Sequence, residues 1–224
     1  MGLQRILIAL VTAVGLPVAP ASAVTIFSDD FNSITTSTLN AVPAGWVIEG
    51  AGTVDLIANG GFSIQCAGNT GGCIDLDGST ANAGRLRTAT PITIMADVLY
   101  TLSADVSGNQ RGGAADSLEF GLLVVDGLVE IVLGTAADLA SGAPFATYSG
   151  GFEDTQSFDA YIFFDAVGGD NVGPILDNVI LVADEEPPPP VDVPEPAPLG
   201  LVLIGLATLV AVTRRPSRRR IPLH

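Results

Sequence analysis

The segment SLEFGLLVVDGLVEIVL, residues 117–133, decides the fold class of this chain. Apolar residues alternate with small or acidic ones, reach Asp126-Gly127, and then alternate again. A period of two is typical of a half-buried strand, and Asp-Gly favours a two-residue turn between antiparallel strands. The segment therefore predicts a β-hairpin. Its expected inward-facing side chains are Leu118, Phe120, Leu122 and Val124 on the first strand and Val129, Ile131 and Leu133 on the second.

The same alternation recurs in other segments, and sustained helical periodicity is missing between the two ends of the sequence. The expected buried residues are Leu102, Ala104 and Val106 in one segment and Phe158, Ala160, Ile162 and Phe164 in another. Gly, Asn, Asp and Ser turns separate these segments. Many short strands of this kind predict an all-β antiparallel sandwich, most commonly a jelly roll in extracellular proteins. Residues 24–184 are enough for one such domain.

The N-terminal segment has the pattern of a secretory signal peptide. Arg5 precedes an apolar stretch, and Ala21-Ser22-Ala23 supplies the small residues that a signal peptidase requires. We therefore expect residues 1–23 to be a signal peptide cleaved before Val24. The mature chain would then begin outside the inner membrane.

The C-terminal segment has the pattern of a short membrane helix. A proline-rich acidic linker, residues 185–198, precedes an apolar run at 199–213 and a basic tail at 214–224. As a helix the run would rise about 22 Å, less than the hydrocarbon core of about 30 Å. Because the basic tail stays in the cytoplasm, the domain is expected on the periplasmic side.

This C-terminal segment resembles the PEP-CTERM sorting signal of Gram-negative bacteria. The residues that carry the resemblance are Val193, Pro194, Glu195 and Pro196, followed by the apolar run and by Arg214, Arg215, Arg218, Arg219 and Arg220. The resemblance implies recognition and cleavage by exosortase, in an organism that makes exopolysaccharide. The mature form would then reach the cell surface or the extracellular matrix. The alternative is an ordinary C-terminal membrane anchor.

Charge excludes several functions for the exported part. The whole chain has a formal charge of -15, but residues 24–194 contain 23 acidic residues, three arginines and no lysine. Such a field repels nucleic acid and attracts divalent cations, so DNA and RNA binding are excluded. The only histidine is His224 in the basic tail, which removes histidine-dependent triads and ordinary zinc sites from the exported part.

Motifs spread along the exported part carry a second resemblance. They are Gly45-Trp46, GTVDLI at 52–57, DLDGST at 75–80, YTLS at 100–103, GNQRG at 108–112 and GDNVGPILDNV at 169–179. Together they resemble bacterial PEP-CTERM proteins with a DUF642-related, galactose-binding-like domain. The resemblance implies a jelly roll and a glycan-facing role. We expect a non-catalytic surface or exopolysaccharide-matrix protein that binds glycan, and the alternative is a glycan-active enzyme that uses two carboxylates.

Two local patterns concern structure more than chemistry. Cys66 and Cys73 are the only cysteines, and an isolated pair in an oxidising compartment predicts a disulfide, with free thiols as the alternative. Metal binding by the pair is not expected, because the exported part has no histidine to complete a site. Asp75-Leu76-Asp77-Gly78 opens like a calcium loop, but Leu86 stands at the twelfth position, where an EF-hand needs glutamate. That stretch is therefore interpreted as a turn after a strand.

An acidic residue interrupts the apolar pattern of the last predicted strand. Asp177 has the same parity as Ile175 and Val179, so we expect its carboxylate to point towards the core. An ionised group there needs a cation or several hydrogen-bond donors. In carbohydrate-binding jelly rolls the first and last strands share a structural calcium, so we expect Ca²⁺ between Asp177 and Asp29 or Asp30. The alternative is that backbone N–H groups of a nearby loop hold Asp177.

A glycine-rich loop supplies the expected ligand-binding residues. Asn109, Gln110 and Arg111 offer the donors that a sugar hydroxyl or a uronate requires. The favoured alternative for Arg111 is a pair with one of the many carboxylates. Trp46, the only tryptophan, is expected in the core.

Overall fold

The computed structural model describes residues 23–80, 82–126 and 129–184. They belong to the first of two compact units, Met1–Pro187 and Pro188–His224. The predicted linker, membrane helix and basic tail lie outside the described residues, as does all but the last residue of the predicted signal peptide. Within the described ranges, no helix is both long and apolar enough to cross a membrane.

The described part is built from β-strands and two short 3₁₀ turns, Gly61–Ser63 and Ala67–Asn69. In chain order the strands are β1 (Ala23–Asp29), β2 (Trp46–Glu49), β3 (Asp55–Ala58), β4 (Gly72–Asp75), β5 (Arg85–Thr88), β6 (Ile92–Ile94), β7 (Tyr100–Ser107), β8 (Asp116–Val124), β9 (Glu130–Leu139), β10 (Ala146–Phe152), β11 (Phe158–Val167) and β12 (Ile175–Asp184).

The strands form two antiparallel sheets, as the sequence predicts. One sheet has the order β10-β7-β12-β4-β3, with β1 also paired to β12. The other has the order β2-β5-β11-β8-β9, with β6 also paired to β11. We call them sheet A and sheet B. The first and last strands therefore lie side by side, with Asp29 opposite Val179.

The core lies between the sheets and contains the expected residues. Leu118, Phe120 and Leu122 of β8 are at most 1% exposed. The predicted inward sides of β7 and β11 are confirmed in the same core, which includes Leu102, Ala104, Val106, Ala160, Ile162 and Phe164. Trp46 is also buried there, and its ring lies 5.6 Å from that of Phe27 and 6.1 Å from that of Phe164. Burial of each large side chain stabilises the fold by about 1.5–3 kcal/mol.

The predicted hairpin forms, but its turn is longer than expected. Strands β8 and β9 pair antiparallel, and the N–H of Val124 donates to the carbonyl of Val129. Four residues therefore connect the paired positions, where Asp126-Gly127 predicted two. Val129 lies at the end of the hairpin and is 57% exposed, so it is not buried as expected.

A second apolar cluster covers the outer face of sheet A. It contains Ile57, Ile64, Ile175 and the two cysteines. Leu176, the neighbour of Ile175, belongs to the main core. Since successive strand residues point to opposite faces, Ile175 and its cluster lie outside the sandwich.

The predicted inward direction of Asp177 is wrong. Val179 and Leu181 belong to the main core, but the pairing of β12 with β7 shifts register between Asp177 and Ile180. Asn178 has a left-handed backbone with φ 47° at this bulge. One extra residue reverses the parity beyond it. Asp177 therefore shares the outer face with Ile175, beneath the loop that contains Cys66.

Candidate functional site

The predicted disulfide closes a loop over the outer face of sheet A. Cys66 and Cys73 are bonded, with their Cα atoms 5.5 Å apart, which confirms the expected pairing. Gly68 and Gly71 both have φ of +67°, a left-handed conformation that glycine adopts without steric cost. We call residues 59–71 the disulfide loop.

Asp177 fastens the disulfide loop from below. Its Oδ2 accepts the N–H of Ala67 at 3.0 Å, and its Oδ1 accepts the N–H of Asn178 at 2.8 Å. Burial raises the pKa of Asp177 to about 6, while these two N–H groups oppose the rise. The structure therefore surrounds this carboxylate with backbone N–H donors, which was the alternative to a calcium ion.

Two of the carboxylates of the predicted calcium site, Asp29 and Asp177, lie on opposite faces of sheet A. Asp29 accepts the indole N–H of the buried Trp46 at 2.7 Å, so one of its oxygens faces the core side of sheet A. Asp177 lies on the opposite face. The two oxygens of Asp30 accept the backbone N–H and the side-chain amide N–H of Asn32. This donor set does not fit an ion that bridges Asp177 and Asp29. The calcium site stays a prediction.

The predicted ligand-binding residues hold loops together in this structure. Asn109 is fully buried, donates to Asp116 at 2.9 Å and accepts the N–H of Arg111. The guanidinium of Arg111 pairs with Asp75 and also donates to the carbonyl of Asn171 at 2.9 Å. Arg111 therefore forms an ion pair with a carboxylate, as the favoured alternative predicted.

Gln110 joins the β7–β8 loop to the disulfide loop. Its Oε1 accepts the N–H of Gln65 at 2.9 Å, and its Nε2 donates to the carbonyl of Gln65 at 2.8 Å and to Ser107 Oγ at 3.1 Å. Two hydrogen bonds of opposite direction to the backbone of one residue, Gln65, hold the two loops together. Gln110 thus positions one side of a cleft.

The cleft lies between the disulfide loop and the β9–β10 loop and has a volume of about 300 Å³. Its lining comes from three separate parts of the chain: Gln65, Cys66, Gly68 and Asn69; Ser107 and Gln110; and Gly142, Ala143, Pro144 and Phe145. Phe145 is half-buried and packs against the disulfide cluster. We call this the loop cleft.

The loop cleft offers uncharged groups to a ligand. Its lining as described contains no ionisable side chain, although residues 24–194 contain 23 acidic residues and only three arginines. Gln65 and Asn69 are exposed, and their side-chain amides make no hydrogen bond to another described residue. Amides, a hydroxyl and one aromatic ring are the groups with which proteins bind sugars: the ring packs on C–H groups, and the amides bond to hydroxyls.

The outer face of sheet B carries more aromatic side chains, but arginines cover them. The guanidinium carbon of Arg85 lies 4.4 Å from the ring centre of Phe163, and that of Arg87 lies 4.2 Å from the ring centre of Tyr161. Glu49 accepts from Arg87 at 2.5 Å and lies 3.6 Å from Arg85. Because the arginines are held by acids as well as by rings, these aromatic faces are already occupied.

Sequence reasoning missed two features of this end of the sandwich. Asp55 on β3, Asp75 at the end of β4 and Asp77 in the following turn are fully buried. Asp55 accepts the N–H of Asn40 at 2.7 Å and the hydroxyl of Ser79 at 2.9 Å. Asp77 Oδ2 accepts the N–H groups of Gly169 and Asp170, and burial raises the pKa of Asp75 to about 7 against the opposing effect of Arg111. The motif DLDGS was visible, but nothing in it indicates which distant loop supplies the donors.

The second missed feature is the loop cleft itself. Only Gln110 of its lining was predicted as a ligand-binding residue, whereas Gln65, Asn69 and Phe145 were not. Asn and Gln beside glycines are common in turns, so their presence gave no specific signal. Their convergence depends on the pairing of β7 with β10 and with β12, which local sequence does not encode.

Solved structures with the same fold include two domains of one xylanase. The CBM22-1 xylan-binding domain of Paenibacillus barcinonensis Xyn10C has a TM-score of 0.50 and 14% identity, covering 75% of this chain and 99% of that domain. The CBM22-2 xylan-binding domain of the same protein has a TM-score of 0.50 and 12% identity, covering 70% and 99%. These likenesses establish an all-β jelly-roll sandwich of the carbohydrate-binding-module type as the fold.

One larger chain is structurally similar to this one over part of its length. The Clostridium thermocellum xylanase 10B chain with its CBM22-1 and GH10 modules, complexed with xylohexaose, has a TM-score of 0.48 and 17% identity over 72% of this chain. This chain spans 29% of that one. No protein-family model matches the sequence, and no curated protein is significantly similar to it.

Proposed function

We propose that this protein is a non-catalytic, exported glycan-binding protein and that the loop cleft is its binding site for a neutral sugar. The single observation that carries the proposal is the composition of the cleft: one aromatic ring, exposed amides and no ionisable lining side chain. A uronate or sulfated sugar would be repelled by the domain's charge and would meet no cation in the cleft. A neutral sugar has no such penalty.

The fold and the geometry support a binding role over catalysis. Glycoside hydrolysis commonly needs two carboxyl groups that face one another across the sugar, and the described lining of the loop cleft contains neither. The solved structures with TM-scores of 0.50 are xylan-binding domains by description, so xylan is a reasonable first ligand to test.

The proposal includes the cellular setting. As in the sequence analysis, we propose export by the N-terminal signal, sorting through Pro194-Glu195-Pro196 and the arginine cluster, and association with the cell surface or with exopolysaccharide. The exosortase, the signal peptidase and the inner membrane are the proposed partners of the precursor. Apart from Ala23, the last residue of the predicted signal peptide, these segments lie outside the described residues.

Affinity electrophoresis tests the binding site. The full chain in detergent micelles is run in gels that contain soluble neutral xylan, glucomannan or polygalacturonate. We expect retardation by a neutral polysaccharide and none by polygalacturonate. Phe145→Ala should lose most of the retardation, because the ring supplies the apolar contact, and Asn69→Ala should weaken it.

Tyr161→Ala is the matched control, since it removes an aromatic side chain from the outer face of sheet B and leaves the loop cleft intact. It should be retarded like the wild type. If Tyr161→Ala abolishes retardation and Phe145→Ala does not, the binding site is on sheet B. Retardation only by polygalacturonate would contradict the neutral ligand.

A further inference from the structure

Three potential metal ligands come together beneath the disulfide loop. The two Sγ atoms of Cys66 and Cys73 and a carboxylate oxygen of Asp177 all lie within 4.8 Å of one another. The side chains are buried, with exposures of 2%, 0% and 3% for the three residues. In the oxidised protein the sulfurs are bonded to each other, so the group cannot ligate a metal.

We propose that the reduced form of this protein binds one zinc-like divalent ion through Cys66, Cys73 and Asp177. The proposal is independent of glycan binding in the loop cleft. Two thiolates and a carboxylate are a ligand set that zinc accepts, and a water can complete the tetrahedron. Calcium prefers oxygen ligands only and is not expected to compete.

The backbone places the ligands where such a site needs them. Cys73 lies on β4, beside Ile74, which pairs with Leu176 of β12, so the chain holds Cys73 and Asp177 on adjacent strands. The pairing of β4 with β12 fixes the positions of Cys73 and Asp177 relative to each other. Cys66 lies on the disulfide loop, and its Cα atom is 5.5 Å from that of Cys73. Ligand atoms in a tetrahedral zinc site lie about 3.5–4 Å apart, given bonds of about 2.0–2.3 Å. The three ligand atoms lie within 4.8 Å of one another, so small side-chain rotations are enough to reach these separations.

Asp177 can serve both the loop and the ion. Each of its oxygens accepts one N–H group, from Ala67 and Asn178, and each has a second lone pair for a metal. Hydrogen bonds of this kind orient a ligating carboxylate. Cys66 lines the loop cleft and is 2% exposed.

The reduction requires one co-reactant, a dithiol. A dithiol reductant gives two electrons and two protons to the disulfide, which yields two thiols and the oxidised reductant. Binding of the ion then displaces the two thiol protons. The bound ion would then hold the disulfide loop in place of the disulfide bond.

Equilibrium metal binding tests the proposal on the full chain in micelles, without a histidine tag. The protein is reduced with a phosphine, the reductant is removed anaerobically, and Zn²⁺ is titrated against a chromogenic chelator. We expect one Zn²⁺ per reduced chain, none per oxidised chain, and proton release approaching two per ion at a pH where the thiols are protonated. Co²⁺ should give a thiolate charge-transfer band, and Ca²⁺ should not displace it.

Two variants test the contribution of the Asp177 carboxylate separately from that of the cysteines. Asp177→Ala should bind Zn²⁺ at least about tenfold more weakly, since even outer partners of metal ligands contribute that much. Asp177→Cys should restore tight binding with a third thiolate, which excludes unfolding as the cause of the first loss. The proposal is overturned if the reduced wild type binds no Zn²⁺, if Asp177→Ala binds as tightly as the wild type, or if the oxidised protein binds equally well.

Discussion

At the scale of single residues, the domain buries several carboxylates and surrounds them with N–H donors. Asp77, Asp75 and Asp177 are at most 3% exposed, and each accepts at least two backbone N–H groups. At Asp75 and Asp177 the loss of hydration raises the pKa, and the donors oppose only part of that rise. The sequence places acids at these positions but does not reveal their burial, because the donors come from distant loops.

The raised pKa of Asp177 predicts a pH dependence of stability. Its folded-state pKa of about 6 lies above the usual value of 3.8, so the folded protein binds the proton more tightly than the unfolded chain. This contribution is fully present below about pH 4 and is lost as pH rises through 6. Two pKa units correspond to about 3 kcal/mol, which is an upper bound for this residue.

Urea unfolding of the wild type and Asp177→Asn at pH 4, 5, 6, 7 and 8 measures this contribution. The wild type should lose more stability than the variant between pH 4 and 6. Above pH 7 the difference between the two proteins should be constant. Parallel curves across the whole range would contradict the assignment, because other acids, including Asp75 with its pKa raised to about 7, titrate in both proteins.

At the scale of strands, alternation predicts the faces well and fails at a bulge. Leu102, Phe120 and Ile162 all reach the core that their parity predicts. Asp177 does not, because Asn178 adopts a left-handed backbone and adds one residue to β12. Asn is one of the residues that tolerate this conformation, but an Asn within an apolar strand pattern does not by itself indicate a bulge.

The bulge predicts a specific response to substitution at position 178. Asn178→Val should destabilise the domain by about 1–3 kcal/mol, because a β-branched residue is strained at φ 47° and the hydrogen bond to Asp105 is lost. Asn178→Gly also loses that bond but tolerates the backbone, so it should cost less. Equal losses in the two variants, measured by urea unfolding, would mean that the backbone at 178 is not under this constraint.

At the scale of the whole molecule, the sequence predicts the exported sandwich, but the loop cleft needs the three-dimensional structure. Phe145, Asn69 and Gln110 are far apart in the chain and meet only because the strand order of sheet A brings the β3–β4, β7–β8 and β9–β10 loops together. The disulfide was predictable from the number of cysteines and the expected compartment. The distribution of charge and the lack of histidine in residues 24–194 narrowed the possible classes of function further.

Sorting is a prediction about the complete chain. Replacement of Arg214, Arg215, Arg218, Arg219 and Arg220 with serine should leave an unprocessed or mislocalised precursor, because the arginines set the orientation of the apolar run. Immunoblots of cell fractions from the producing organism measure this. Substitution of Arg85 and Arg87, which lie in the sandwich, is the control for charge alone. A five-serine variant with unchanged mass and location would contradict the sorting role.

The central claim is that a neutral sugar occupies the loop cleft, and residue-resolved NMR tests it most directly. The ¹⁵N-labelled full chain in micelles is titrated with a neutral xylo-oligosaccharide or with the polysaccharide fragment that retards it most in gels. The account predicts that the largest amide shifts fall within residues 65–69, 107–110 and 142–145 and that they saturate. Shifts confined to β5 and β11 on sheet B, or no saturable shift with any neutral glycan, would contradict it.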